Sequence, residues 1–116
     1  MTIGSADERA ILARAAVEPQ PVHSFEKVGI DDGARRGGLP LNGLRHPPSG
    51  GTSGWYIWSG AEPGEHEDFF KPLHAGHLVR DCPSVLPYLA LPPGWRFLIS
   101  KDYEDIWFDK SLLEVE

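Results

Sequence analysis

The chain has 116 residues, with 11 Lys and Arg against 17 Asp and Glu, a net charge of −6, and 41% hydrophobic residues. That length fits one domain, residues 1–116, with a modest core, and the apolar content is too high for a disordered chain. The acidic balance argues against nucleic acid as a partner, the absence of an apolar run near 18 residues argues against a membrane span, and a single cysteine, Cys82, excludes an internal disulfide or a thiolate metal cage.

The opening MTIGSADERA lacks the basic-then-apolar pattern of a signal peptide, so a cytoplasmic protein is expected. Within residues 1–20, Ser5-Ala-Asp-Glu8 fits a capping box. Ile11, Leu12, Ala15 and Ala16 then form one apolar stripe, which predicts a helix over about residues 6–17, ended by Pro19 and Pro21. Val22, Phe25, Val28 and Ile30 suggest a short strand over 23–30. Residues 29–54 hold eight Gly and three Pro and read as an irregular segment. Within it, Leu39, Leu41 and Leu44 could pin an irregular strand over 38–46 against the sheet, with a turn over 47–54.

Trp55-Tyr-Ile-Trp-Ser59 is the clearest strand, dense in aromatic and β-branched residues between two glycines. Residues 75–80 suit a short helix, and a second follows with Pro83 at its first position and Val85, Leu86 and Leu89 as its apolar members. Residues 95–100 and 105–109 read as a hairpin. The fold class expected is α+β, a small, mainly antiparallel sheet covered by a few short helices.

Charge is unevenly placed. Residues 1–58 carry six basic and six acidic side chains, and residues 59–116 carry five basic and eleven acidic ones. Glu62, Glu65, Glu67 and Asp68 fall in one loop, and Asp102, Glu104 and Asp105 in another. Solvated loop charge accounts for these carboxylates better than glycosidase chemistry, which needs two carboxyls across a deep cleft. His74, His77 and Asp81 have the spacing to share a helix face, but Pro72 and Gly76 spoil that helix and no strong zinc motif accompanies them. Cys82 beside Asp81 is a poor nucleophile, because a neighbouring carboxylate raises its pKa. G-x-S-x-G, GxGxxG and P-loop patterns are absent. The sequence offers no enzyme motif.

Three stretches in order, Gly54-Trp-Tyr-Ile-Trp-Ser-Gly60, Asp68-Phe-Phe-Lys-Pro-Leu-His74, and Leu91-Pro-Pro-Gly-Trp-Arg-Phe-Leu-Ile99 leading to Tyr103-Glu-Asp-Ile-Trp-Phe-Asp109, resemble immunity protein family 33 of bacterial polymorphic-toxin loci. The resemblance covers about residues 40–113, with a family-like core over 55–113. It implies an α+β protein that binds and neutralises a cognate toxin, with no catalysis and no cofactor; no metal is expected either, for want of a zinc motif. An acidic surface suits a basic toxin, so Glu62, Glu65, Glu67, Asp68, Asp102, Glu104 and Asp105, at the ends of adjacent strands, are the expected partner contact. The rival readings are a ligand- or peptide-binding module using exposed Trp and Tyr rings beside the Gly-rich segment, and a metal-dependent hydrolase using His74, His77 and Asp81.

Overall fold

The computed structural model describes residues 2, 3, 7–64 and 69–114. In chain order the elements are β1 (Thr2–Ile3), α1 (Glu8–Ala15), β2 (Val22–His23), β3 (Lys27–Ile30), α2 (Asp32–Arg35), β4 (Leu41–Arg45), β5 (Thr52–Ser59) and β6 (Lys71–His74). A 3-10 turn (Ala75–His77) leads into α3 (Leu78–Asp81), and a second (Pro83–Tyr88) precedes β7 (Trp95–Ile99) and β8 (Glu104–Phe108). A third, Lys110–Leu113, follows β8.

Six strands form one sheet in the order β6-β3-β5-β4-β7-β8, and β1 pairs with β2 apart from it. Every pairing in the six-stranded sheet is antiparallel except β3 with β5. The fold is therefore α+β with a mainly antiparallel sheet, as the alternation of apolar residues in 55–59, 95–100 and 105–109 predicts. The β7–β8 hairpin has the predicted pairing, Trp95 opposite Phe108 and Ile99 opposite Glu104, with the Ser100 N–H closing the turn on the Tyr103 carbonyl at 2.8 Å.

Strand parity sorts the sheet into two faces. One cross-strand row, Ile57, Gly43, Phe97 and Ile106, points toward the helices. There it joins Val28, Ile30, Leu41 and Trp55 in a core closed by Ile11 of α1, Leu78 of α3, and Val85, Leu86, Leu89 and Leu91 of the second 3-10 turn and its exit. Gly43 is required by this packing, because the Phe97 ring occupies the space a Cβ would take. Trp55 is buried with its Nε1 donating to the Leu89 carbonyl at 3.0 Å.

Several expectations change. The first helix is shorter than residues 6–17. It starts after Asp7, whose side chain makes no capping bond, and Ala16 ends it in the left-handed region at φ 57° before either proline is reached. Ser5, the expected cap, lies outside the described residues. The strand read over 23–30 is two strands, β2 and β3, separated by a turn in which the Glu26 N–H bonds the His23 carbonyl. Phe25 in that turn is 69% exposed, not an apolar strand member.

The 29–54 stretch also differs, since it contains α2, all of β4 and the start of β5. Asp31 builds α2 locally. Its buried carboxylate accepts the Ala34 N–H at 2.9 Å and the Ser59 N–H at 3.1 Å, which caps the turn and ties it to the end of β5. β4 lies inside the sheet rather than against it, with Leu41 in the core and Leu39 53% exposed. No local pattern in the sequence predicts β6. Pro72 argues against a strand, but β6 is at the sheet edge, where a missing N–H is tolerated.

Candidate functional site

The ends of β5 and β7 and the starts of β4 and β8 meet at one end of the sheet, where Leu41 pairs with both Ser59 and Ile99, and Ile99 with Glu104. The loops after β5 and after β7 therefore emerge from the same end. The strands are not adjacent as expected, because β4 lies between β5 and β7. With about 4.8 Å per strand spacing, roughly 10 Å separates those two strand ends.

Glu62 and Asp102 are exposed in these two loops. Glu65, Glu67 and Asp68 lie outside the described residues. Glu104 and Asp105 diverge because successive strand residues face opposite ways. Glu104 turns to the helical side, where its two oxygens accept from Arg14 of α1 at 2.6 and 3.1 Å and from the Tyr88 hydroxyl at 2.8 Å. Asp105 faces away, half-buried on the opposite face, with one oxygen on the Ile106 N–H and the other 3.4 Å from the Tyr103 hydroxyl. Glu104 is thus a strut between β8 and α1, and sequence spacing alone groups it wrongly with the loop charges.

The Arg14 hydrogen bonds, and then the Tyr88 hydroxyl, hold the Glu104 carboxyl below its ordinary 4.5, against the opposing pull of partial burial. The same contacts raise the Tyr88 hydroxyl, burial first and Glu104 second. A depressed carboxylate stabilises the fold above its unfolded pKa and loses that contribution as pH falls through its folded pKa. Glu104→Gln is expected to cost about 1–2 kcal/mol at neutral pH, discounted because Arg14 is half in water. In urea melts the gap between the two chains should close progressively below pH 4.5. A gap that is unchanged at pH 3 would show that the carboxylate does not carry it.

The face turned away from the helices carries a row across four strands: Tyr56, Leu44, Arg96 and Trp107. The next row is Trp58, Asn42, Leu98 and Asp105. Phe70 packs edge-on against both Tyr56 and Trp58, and Phe69 against Phe70. The 3-10 turn after β8 reaches this face as well, with the Leu112 carbonyl 3.0 Å from His46 Nδ1. Between these covers Leu44, Arg96, Leu98 and Trp107 remain partly exposed, and Tyr56 is 36% exposed. The Arg96 guanidinium lies over the Trp107 ring at 5.2 Å and pairs with Asp109 at 3.3 Å.

A cavity of about 190 Å³ opens beside this face where the β3–β5 register shifts, walled by Gly29, Trp55, Tyr56, Phe70 and Pro72, with Lys27 and Lys71 also lining it. His74 and His77 are both exposed with ring centroids 6.4 Å apart, but Asp81 is taken up by Arg80 at 3.0 Å and Arg35 at 3.1 Å. Hydrogen bonds from these two guanidinium groups, Arg80 first, hold the Asp81 carboxyl below its usual range. Among the described residues no group of three His, Cys, Asp or Glu is placed to hold a metal ion. Burial, then Asp81, pushes the Cys82 thiol up to about 11, so at neutral pH it is a protonated, buried thiol. No helix among the described residues is long and apolar enough to cross a membrane.

A family model described as the Imm33-like domain matches residues 7–109. The match begins well before the family resemblance read near residue 40. It takes in α1, whose Ile11 is part of the same core as β5 and β7. Neither the curated proteins nor the solved structures contain a match to the chain.

Proposed function

The chain belongs to the Imm33-like domain family, and on that premise we propose that it is an immunity protein, which binds a cognate bacterial toxin and neutralises it by protein–protein contact. The observation that carries this reading is the extent of the family match, residues 7–109, which spans the whole helix-backed sheet rather than one short motif. Function on this reading is binding without turnover, with no cofactor, in the cytoplasm of the producing cell. The excess of acidic side chains in residues 59–116 suits a basic toxin domain and speeds encounter with it.

The test is to read the gene adjacent to that of this chain and, where it encodes a large protein with a variable C-terminal domain, to co-express that domain with and without the chain. Growth arrest that the chain relieves supports the reading, and arrest that it leaves untouched refutes it. Glu62, Asp102 and Asp105 are the described residues proposed to steer the toxin, with Glu65, Glu67 and Asp68 in the same role. Glu104 is set apart as the strut to α1. Glu62→Lys with Asp102→Lys is expected to slow association about tenfold at low salt and less at high salt, with the melting temperature unchanged. An association rate that does not respond to either the substitutions or the salt would remove these carboxylates from the contact.

One observation favours the ligand-binding alternative, the cavity beside Tyr56 and Phe70. Its 190 Å³ is below the roughly 300–1,000 Å³ of small-molecule pockets and nearer the size of one side chain. Trp55 lines it, so a saturable change in tryptophan fluorescence on adding a small molecule would favour that alternative over immunity.

A further inference from the structure

We infer that the sheet face turned away from the helices, centred on Leu44, Leu98 and Trp107, is the docking surface for the toxin, and that the toxin presents a cationic surface to it. This rests on the immunity reading and adds to it the place and chemistry of the contact.

The open face of an antiparallel sheet ordinarily alternates polar residues toward water. Here α1, α3 and the second 3-10 turn pack on one side, Phe69, Phe70 and the third 3-10 turn cover parts of the other, and the residues left partly exposed between those covers are Tyr56, Leu44, Leu98 and Trp107, with Arg96. These five side chains are contiguous, because strand pairing places Tyr56, Leu44, Arg96 and Trp107 in one row and Leu98 in the next. A contiguous apolar patch rimmed by polar groups marks an interaction surface, and aromatic anchors of this kind dominate interface energetics.

Charge selects the occupant. Arg96 is balanced by Asp109 and stacked on Trp107. Asp105 sits on the face beside Leu98, and Asp102 and Glu62 stand at the end of the same strands. Against these three carboxylates the same end carries Lys101, so the rim the partner meets is net acidic among the described residues, and rings beside carboxylates receive arginine and lysine side chains. A second copy of this chain is disfavoured, since it would bring its own net charge of −6 against that rim. The patch spans four strands, which suits a protein surface and not a small molecule.

The experiment measures affinity by calorimetry for the growth-arresting domain used in the co-expression test, in a catalytically silenced form. Leu98→Lys should weaken binding by about 30-fold or more, and Leu98→Glu by clearly less, because only the first sets a like charge against a cationic partner. Trp107→Ala, which adds no charge, should also weaken binding, and thermal melts verify that each variant folds. Val79→Lys, at a position 56% exposed on α3 of the helical side, should stay within about twofold of the native chain.

If the native chain binds and protects while both Leu98 variants and Trp107→Ala bind as well as it does, the docking surface is wrong and the immunity reading stands. Equal losses from Leu98→Lys and Leu98→Glu overturn the cationic partner. A native chain that neither binds nor protects overturns the immunity reading and this surface together. A native dimer that Leu98→Lys splits assigns the face to self-association and overturns the proposal.

Discussion

Arg45→Ala is expected to remove about 4–5 kcal/mol, a large part of the roughly 5–15 kcal/mol that stabilises a typical domain. Arg45 lies on the core side of β4 and is 1% exposed. Its Nε donates to the Ser53 carbonyl at 2.9 Å, and Nη1 donates to the carbonyls of Gln20 and Leu91 at 2.8 Å and of Leu89 at 3.3 Å. The guanidinium also lies 5.8 Å from the centre of the Trp55 ring. One side chain thus joins β5, the segment after α1 and the exit of the second 3-10 turn, all through backbone acceptors.

Removing Arg45 takes its donors from the buried Ser53 and Leu91 carbonyls, each at about 1–3 kcal/mol, while the Leu89 carbonyl keeps the Trp55 Nε1–H, and opens a cavity beside Trp55. Partial relaxation and water entry keep the total below the sum. Burial pulls the guanidinium down to about 10, with Glu26 pulling the other way, so it remains charged at neutral pH. A buried cation without a carboxylate partner persists only while several dipoles solvate it, which these carbonyls do. Arg45→Lys keeps the charge but loses the planar fork and should cost about 2–3 kcal/mol. Urea melts of the three chains check the order. An alanine chain within 1 kcal/mol of native would mean that water replaces the fork.

Gly54→Ala should cost about 3 kcal/mol. Gly54 has φ +93°, and a Cβ there would collide with the His46 carbonyl, a backbone group held close because the His46 N–H bonds the Gly54 carbonyl at 2.9 Å. Neither party can rotate away. Gly51 is the control, with φ +85° but open space around its missing Cβ, so Gly51→Ala should cost only the conformational strain of about 1–2 kcal/mol. Equal losses would assign the whole effect to φ and none to the contact. Because Gly54 leads into Trp55 and Tyr56, displacing it also shifts the row of side chains proposed to meet the toxin, and Gly54→Ala should weaken toxin binding beyond its loss of stability.

The carboxylates show how far local pattern reaches. Glu104 and Asp105 are neighbours in sequence, and both look like loop charge. Pairing of β8 with β7 sends one to the helices and the other to the open face. The missed elements fail for related reasons. β4 contains Gly43 and begins after Pro40, which weakens any strand signal, yet its place between β5 and β7 gives its backbone two partners. α2 is a single turn, too short for periodicity, and exists because Asp31 also bonds β5. Arg45 carries no local sign that it is buried, since an arginine in a Gly-rich stretch reads as exposed.

The sequence by itself determined the α+β class, the aromatic strand at 55–59, the hairpin at 95–109, the acidic second half and the family. These are properties of neighbouring residues, where alternation, turn chemistry and charge act within a few positions. Only the tertiary structure decided that β4 divides β5 from β7, that Arg45 is solvated by carbonyls from distant segments, and that the face opposite the helices stays partly open. Each depends on which strand pairs with which, and strand pairing is fixed by burial summed over the whole chain.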